Sequence, residues 1–385
     1  MIPITKPWID EREADAARRV ILSGWVTQGP EVAAFEHEFA EFVNAPYACA
    51  VANCTTALHL ALLAAGVCPG DEVVTVSHSF IATANSIRYC GAVPVFVDIC
   101  LDTFNIDADQ VEQAITGSTR AIVCVHQMGM PCDLTRLVRI AEKYSLALIE
   151  DAACAIGSEV LREGNWERIG KPHGDAACFS FHPRKIMSTG DGGMITTKHK
   201  DWDDRFRLLR QHGMSVSDTA RHSSARVMFE SYAELGFNYR MTDIQAAVGR
   251  EQLKRVPQIV ARRRELAGTY RDLLRDIPAL KVPSEPLWAR SNWQSFCISL
   301  AEDCPQKDTM QALLDLGIAT RRGIMCTHRE PAYQKQPWRS AGSLVCSERA
   351  QETGIILPLY PQMDEADHES IASGLRHILA RECVS

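Results

Sequence analysis

Lys185 is the side chain of this sequence best placed for covalent chemistry. It follows the apolar run Cys178–Phe181 and precedes the glycine-rich segment Gly190–Gly193, so we expect an apolar strand to deliver its amine into a glycine-rich turn. A lysine held beside glycines on a rigid scaffold can condense with a flat aldehyde cofactor as a Schiff base. Because a single lysine is more often a solvated surface residue, other residues must support this interpretation.

Asp151 is a second candidate, because it follows the apolar run Leu146–Ile149 and is expected at the carboxyl edge of a sheet. If the ligand contains a pyridine ring, an ionised Asp151 near the ring nitrogen would favour the protonated ring, since an opposite charge stabilises a cation. A protonated pyridinium is the electron sink that carbanion chemistry requires. An N-cap or a solvated aspartate at the end of a strand accounts for the position equally well.

Small hydroxyl residues begin a predicted helix at Thr55 and Thr56, directly after another strand. Free N–H groups and the helix dipole at such a start attract phosphate, although ordinary N-capping uses the same residues. Ser180, in the strand before Lys185, would supply a further hydroxyl, and in isolation it is an ordinary strand serine. Phe80 lies between a strand and a helix, where an aromatic ring either stacks on a flat ligand or packs in the core.

The composition is that of a globular protein that acts on small molecules. Of its 385 residues, 46% are hydrophobic and 23% are charged, and the net charge of −7 argues against a nucleic-acid binder. The 14 cysteines form no Cys-x-x-Cys pair, so we expect no metal site, and their places in apolar runs predict buried free thiols in a reducing compartment. Since no apolar stretch approaches bilayer length, we expect no membrane contact and predict a cytoplasmic protein.

The elements that must position these residues alternate between strand-like and helix-like segments, which predicts an α/β domain with a largely parallel sheet. The expected strands are short apolar runs, namely Ala48–Ala52, Glu72–Val76, Pro94–Val97, Ala121–His126, Leu146–Glu150 and Ala177–Phe181. Helical spacing predicts Thr55–Ala65, Thr83–Tyr89 and Leu134–Lys143. Doubly wound sheets bind ligands beyond the carboxyl ends of their strands. We predict a large domain over residues 1–250, and a connector helix with a small C-terminal domain over residues 251–385.

Taken together, the motifs resemble those of the DegT-type sugar aminotransferases, which depend on pyridoxal 5'-phosphate (PLP). The resemblance covers nearly the whole chain and rests on a series of segments in one order, namely Ser23–Pro30, Thr55–Leu62, Gly70–Val73, Pro94–Asp98, Glu150–Ala153, Ser180–Lys185, Gly236–Thr242 and Leu357–Tyr360. It implies the PLP-dependent transferase fold type I, in which helices sandwich a mostly parallel central sheet beside a smaller C-terminal α+β domain.

The resemblance also implies a role for each candidate residue. With PLP as the cofactor, Lys185 would form the Schiff base and Asp151 would pair with the pyridine nitrogen. Phe80 would stack on the ring, and three hydroxyl residues would hold the phosphate, namely Thr55, Thr56 and Ser180. Asn238 matches the residue that in this family reaches the phosphate in the partner subunit, which implies a homodimer with shared active sites. By itself, Asn238 would pass as a turn residue.

Several positions depart from the family pattern or match it weakly. Cys154 stands where relatives commonly carry glutamine or histidine against the phenolic oxygen of the cofactor, and a thiol is a weak hydrogen-bonding group. Cys54 replaces a usual glycine before the phosphate threonines. His328 resembles a residue near the sugar site, and Arg240 would meet a donor carboxylate or a nucleotide phosphate, with a surface histidine and a structural ion pair as the alternatives. His182 is expected to face away from the cofactor, because neighbouring strand residues alternate.

The activity implied is transfer of an amino group from glutamate to a keto sugar, which would be nucleotide-linked. A keto-cyclitol acceptor is an alternative, since the same residues would serve it. A non-catalytic PLP-binding regulator that has kept the fold is another. Lys185 argues against a sugar dehydratase, because such relatives carry histidine at that position. The sequence leaves open which sugar and nucleotide are used and which carbon receives the amine.

Overall fold

The computed structural model describes residues 1–216, 221 and 224–382 of the chain. Its strands are β1 (Tyr47–Val51), β2 (Glu72–Val76), β3 (Val93–Val97), β4 (Thr119–Val125), β5 (Ala147–Asp151), β6 (Glu159–Arg162), β7 (Asn165–Arg168), β8 (Ala176–Ser180), β9 (Gly193–Thr197), β10 (Leu280–Lys281), β11 (Ala289–Arg290), β12 (Phe296–Leu300), β13 (Arg321–Arg322), β14 (Arg339–Ser340) and β15 (Gly354–Leu357). Its helices are α1 (Glu11–Ser23), α2 (Pro30–Val43), α3 (Cys54–Ala64), α4 (Ala82–Tyr89), α5 (Ala108–Ala114), α6 (Leu134–Tyr144), α7 (Lys200–Leu209), α8 (Asp243–Leu274), α9 (Gln306–Asp315), α10 (Val345–Thr353) and α11 (Glu365–Glu382).

The central sheet has eight strands in the order β1-β9-β8-β5-β4-β2-β3-β14. Strand β9 pairs antiparallel with both of its neighbours, and the other pairs along the sheet are parallel. The carboxyl ends of β2, β4, β5 and β8 therefore meet at one edge. This arrangement confirms the predicted α/β fold with a mostly parallel central sheet.

Both faces of the central sheet are buried. Ile122 and Cys124 of β4 enter the apolar cluster that contains α2 and the first half of α8, whereas Ala121 and Val123 enter the cluster that contains α3 and α7. Strands covered on both faces have no polar side to alternate with, which explains their nearly continuous apolar composition. The same burial on both faces makes these runs recognisable in the sequence.

A smaller antiparallel sheet, in the order β10-β12-β15-β13, forms a second core with α9 and α11. Helix α8 contributes to both cores, through Val256 in the first and Tyr270 in the second. Strand β14 belongs to the C-terminal part of the chain but pairs with β3 of the central sheet. The predicted domain division near residue 250 falls inside α8 and stays a prediction.

Most of the described cysteines follow the sequence expectation of buried free thiols. Twelve of them carry free thiols, and most of these are buried. Cys304 is instead disulfide-bonded, so the expectation of free thiols does not hold there. Cys383 lies outside the described residues.

Among the helices that the structure describes, none combines the length and the apolar character needed to cross a bilayer.

Candidate active site

A cavity of about 950 Å³ opens beyond the carboxyl ends of the central strands. Seven of the residues predicted for the site line it, namely Lys185, Asp151, Cys154, Ser180, Phe80, Thr55 and Thr56. They come from separate segments of the sequence, and the parallel sheet brings the ends of these segments together. The edge of the sheet that the sequence indicated is therefore where the structure assembles the candidate residues.

Lys185 lies in the loop that joins β8 to β9. Strand pairing stops at Ser180, and the N–H of Phe181 donates to the carbonyl of Gly192 at 2.9 Å, which closes the base of the loop. The N–H of Lys185 donates to the carbonyl of His182 at 2.8 Å. His182 also lines the cavity and does not face away from it, because strand alternation ends before this residue.

The Lys185 amine contacts a thiol. Its Nζ donates a hydrogen bond to Sγ of Cys154 at 3.0 Å. Burial lowers the pKa of Lys185, but the neighbouring side chains of Cys154, Cys54 and Asp151 outweigh burial and leave this pKa above its ordinary value. Lys185 and Cys154, both of which the resemblance places against the cofactor, are therefore in direct contact.

Asp151 ends β5 with a buried and oriented carboxylate. The hydroxyl of Thr83 donates to Oδ2 at 2.8 Å, and the N–H of Ala153 donates to Oδ1 at 3.2 Å. Burial raises the pKa of Asp151 above its ordinary value, although these two hydrogen bonds and the charge of Lys185 act in the opposite direction. A cation placed against this carboxylate would stabilise its ionised form.

Thr83 and Ser79 are site residues that the sequence reasoning missed. Their hydroxyl oxygens lie 2.8 Å apart, both side chains are buried, and both residues line the cavity. They extend the hydrogen-bonded chain that begins at Asp151. Hydroxyl residues at the junction between β2 and α4 are the same kind of signal that identified Thr55 and Thr56, so the sequence did contain this indication.

Thr55 and Thr56, at the start of α3, make different contacts. Oδ1 of the N-cap residue Asn53 accepts from the N–H of Thr56 at 3.0 Å, and the hydroxyl of Thr56 donates back to the carbonyl of Asn53 at 2.7 Å. Thr56 thus serves the helix cap. Thr55 lines the cavity, and its hydroxyl forms no hydrogen bond within the described part of the chain, so it is the one of the two that is available to an anion.

Phe80 and Gln294 present two different surfaces to the cavity. Phe80 is 61% exposed, which leaves its ring available to a flat ligand. Gln294 is only 8% exposed, and its Nε2 donates to the carbonyl of Arg184 at 2.5 Å. Its Oε1 is buried with no partner among the described residues. A buried acceptor in a cavity wall indicates a place for a hydrogen-bond donor of a ligand.

Three predicted residues lie outside this cavity wall. Asn238 is exposed, and its Oδ1 accepts from Nε of Arg240 at 3.4 Å. His328 is held by its neighbours, with Nδ1 at 2.7 Å from Oγ of Ser77 and Nε2 at 3.0 Å from Oε1 of Glu348. The structure therefore does not bring Asn238, Arg240 or His328 to the cavity of their own chain.

Proteins of known sequence match nearly the whole length of the chain. The model of the DegT/DnrJ/EryC1/StrS aminotransferase family matches residues 7–376. The spore coat polysaccharide biosynthesis protein SpsC of Bacillus subtilis is 36% identical over 382 residues, which cover 98% of this chain and 97% of SpsC.

Solved structures resemble this chain over nearly its whole length. The aminotransferase TlmJ from Streptoalloteichus hindustanus is 33% identical, with a TM-score of 0.89 and 99% of both chains covered. Spr1654 from Streptococcus pneumoniae, a candidate sugar aminotransferase solved in its PMP form, is 25% identical, with a TM-score of 0.92 and coverage of 99% of this chain and 100% of that one. The same protein has also been solved in a PLP form.

Proposed function

We propose, because the chain belongs to the DegT/DnrJ/EryC1/StrS aminotransferase family, that it moves an amino group from glutamate to a nucleotide-linked keto sugar. As a member of this family, the protein is a PLP-dependent aminotransferase. The observation that carries the proposal is the cavity that brings Lys185 and Asp151 together at the carboxyl edge of the sheet. The polysaccharide role of SpsC and the description of Spr1654 support a sugar as the amino acceptor.

Lys185 is proposed as the residue that binds the cofactor covalently and moves the proton. When bound, PLP supplies an electron sink for the carbon that carries the amino group. Once the donor has released it as a free amine, Lys185 Nζ would take a proton from the donor carbon in the first half-reaction and deliver a proton to the acceptor carbon in the second. Its contact with Sγ of Cys154 keeps the amine inside the cavity.

Asp151 is proposed as the partner of the pyridine nitrogen, and the chemistry of its surroundings fits this role. The carboxyl group is buried, and burial raises its pKa. A cation placed opposite it, such as a protonated ring nitrogen, would stabilise its ionised form. Thr83 and the N–H of Ala153 orient the two oxygens. A carboxylate fixed in this way would keep the ring nitrogen protonated.

The other cavity residues are proposed to hold the phosphate and the ring. Thr55 and Ser180 would donate hydroxyl groups to the phosphate, and Thr56 would maintain the helix start that binds it. Phe80 would stack on the ring. Cys154 would lie near the phenolic oxygen, where its thiol offers only a weak hydrogen bond.

A homodimer with shared active sites is proposed as the working assembly. Asn238 is exposed and lies outside the cavity of its own chain, which is what a residue that serves a second copy requires. Large apolar side chains of the preceding segment are also exposed, namely Val227 (86%), Phe229 (92%) and Leu235 (90%). Burial of such side chains against a second chain would remove apolar surface from water. The roles of Arg240 and His328 in substrate binding and the cytoplasmic location stay predictions.

Replacing Asn238 with alanine should weaken PLP retention by roughly tenfold, because a hydrogen bond to a charged phosphate would be lost. Equilibrium dialysis of the purified variant against PLP would measure this change. Asn165→Ala is the matched control, since Asn165 is an exposed asparagine that lies outside the cavity wall. A PLP affinity of Asn238→Ala equal to that of the control would rule out the phosphate role, and an active monomer in sizing experiments would contradict the shared site.

The identity of the two substrates is tested by a screen. Nucleotide-linked keto sugars incubated with glutamate and the PLP-loaded protein should yield an amino sugar and 2-oxoglutarate, detected by mass spectrometry. Amination of a keto-cyclitol alone would replace the proposed acceptor. Failure of glutamate to convert the bound cofactor would reject glutamate as the donor.

A further inference from the structure

The cavity wall carries more positive than negative side chains. Its basic residues are Arg184, Lys185, Arg321 and Arg322, and its carboxylates are Asp151 and Asp191. Asp151 is already committed to Thr83 and to the N–H of Ala153. The remaining wall therefore has an excess of guanidinium groups over carboxylates, and this excess favours an anionic ligand.

Arg184 and Arg321 have no ion-pair partner among the described residues, unlike the neighbouring Arg322. Arg322 lies 3.8 Å from Glu330. Arg184 and Arg321 are both exposed, and both line the cavity. They are therefore free to bind an anion that enters it.

The two guanidinium groups also act on each other. Burial lowers the pKa of Arg321, and the nearby charge of Arg184 lowers this pKa further. Two like charges on one wall repel each other, and an oxyanion between them would convert the repulsion into two attractive contacts.

Both arginines extend from backbone that is fixed. The carbonyl of Arg184 accepts from Nε2 of Gln294 at 2.5 Å. Arg321 belongs to β13 and pairs with Ile356 of β15. Fixed backbone reduces the entropy lost when the side chains close on a ligand, and a planar guanidinium suits two-point binding of carboxylate or phosphate.

We propose that Arg184 and Arg321 form a clamp for an oxyanion group of a substrate. This inference rests on the proposed function, which provides two sources of such a group, namely a carboxylate of the amino donor and a phosphate of the sugar acceptor. In either case the clamp fixes the far end of the substrate relative to Lys185. It would thereby select substrates that carry an anionic group at the end remote from the reacting carbon.

The test measures binding directly, by isothermal titration calorimetry of the PLP-loaded protein at constant ionic strength. Glutarate is the carboxylate probe, and inorganic pyrophosphate is the phosphate probe. Arg184→Leu and Arg321→Leu should each weaken the binding of the same probe by about tenfold or more, because each removes a charge-assisted contact. Arg322→Leu is the matched control. It should change the affinity by less than about threefold, because removing the Arg322 charge alters only the overall electrostatic potential of the cavity.

The outcomes separate the two sources. Weakened binding of pyrophosphate alone assigns the clamp to a phosphate, weakened binding of glutarate alone assigns it to a carboxylate, and weakened binding of both identifies a general oxyanion site. The clamp is overturned if the wild-type protein binds neither probe, if both variants bind as the wild type does, or if Arg322→Leu has the same effect. Glutamate-driven conversion of the cofactor, recorded on the same samples, tests the proposed function separately from the clamp.

Discussion

Replacement of Lys185 with alanine should stop glutamate from bleaching the visible absorbance of the PLP-loaded protein. The amine at this position is proposed both to bind the cofactor and to carry the proton, so the variant loses two contributions at once. Loss of a general acid–base group alone costs a factor of about 10² to 10⁴, and loss of the nucleophile adds to it. We expect turnover to fall by at least about 10³-fold.

The fold of this variant should be preserved, because Lys185 lies in a loop and its side chain bonds to Cys154 and to no other described side chain. Lys171→Ala is the control, since Lys171 is ion-paired with Glu167 and lies outside the cavity wall. Stopped-flow absorbance after mixing with glutamate measures the first half-reaction in isolation. Bleaching in Lys185→Ala at the rate of the control would remove this residue from the mechanism.

Replacement of Asp151 with asparagine should reduce turnover by roughly 10² to 10³-fold while the protein stays folded and retains PLP. Asparagine is nearly the same size and can still accept from Thr83, but it carries no negative charge to stabilise a protonated ring nitrogen. The electron sink is weakened in both half-reactions. Single-turnover rates with glutamate would measure the loss.

Thr83→Val provides a graded comparison with Asp151→Asn. It removes the hydroxyl that donates to Oδ2 and leaves the carboxylate in place, so its effect should be smaller, about tenfold. The absorption spectrum of the bound cofactor should shift in the same direction in both variants, because both weaken the support of the ring nitrogen. Equal turnover in Asp151→Asn and the wild type would contradict the proposed pairing.

The central sheet was predictable because its strands are buried on both faces. A nearly continuous apolar run as short as Leu146–Ile149 is typical of a buried parallel strand, and the strand itself places the polar residue that follows, Asp151, at the edge of the sheet. The same reasoning failed for His182. The alternation of side chains ends with β8 at Ser180, two residues before His182, so it no longer decides which way the His182 side chain faces.

Residues that reach the cavity through long-range folding were not predictable. Gln294 lies far from Lys185 in sequence and reaches the cavity wall because its amide binds the carbonyl of Arg184. Its type and spacing give no signal of this contact. Local capping also competed with ligand binding at Thr56, and only the folded chain shows that its hydroxyl is used by Asn53.

Locating the covalent attachment of the cofactor tests the role of Lys185 without any substitution. The PLP-loaded protein is reduced with borohydride and digested, and the modified peptide is identified by mass spectrometry. We expect a pyridoxyl group on Lys185, in the peptide that follows Arg184. A pyridoxyl group on another lysine, with Lys185 unmodified, would show that a different amine binds the cofactor and that the proposed mechanism is wrong.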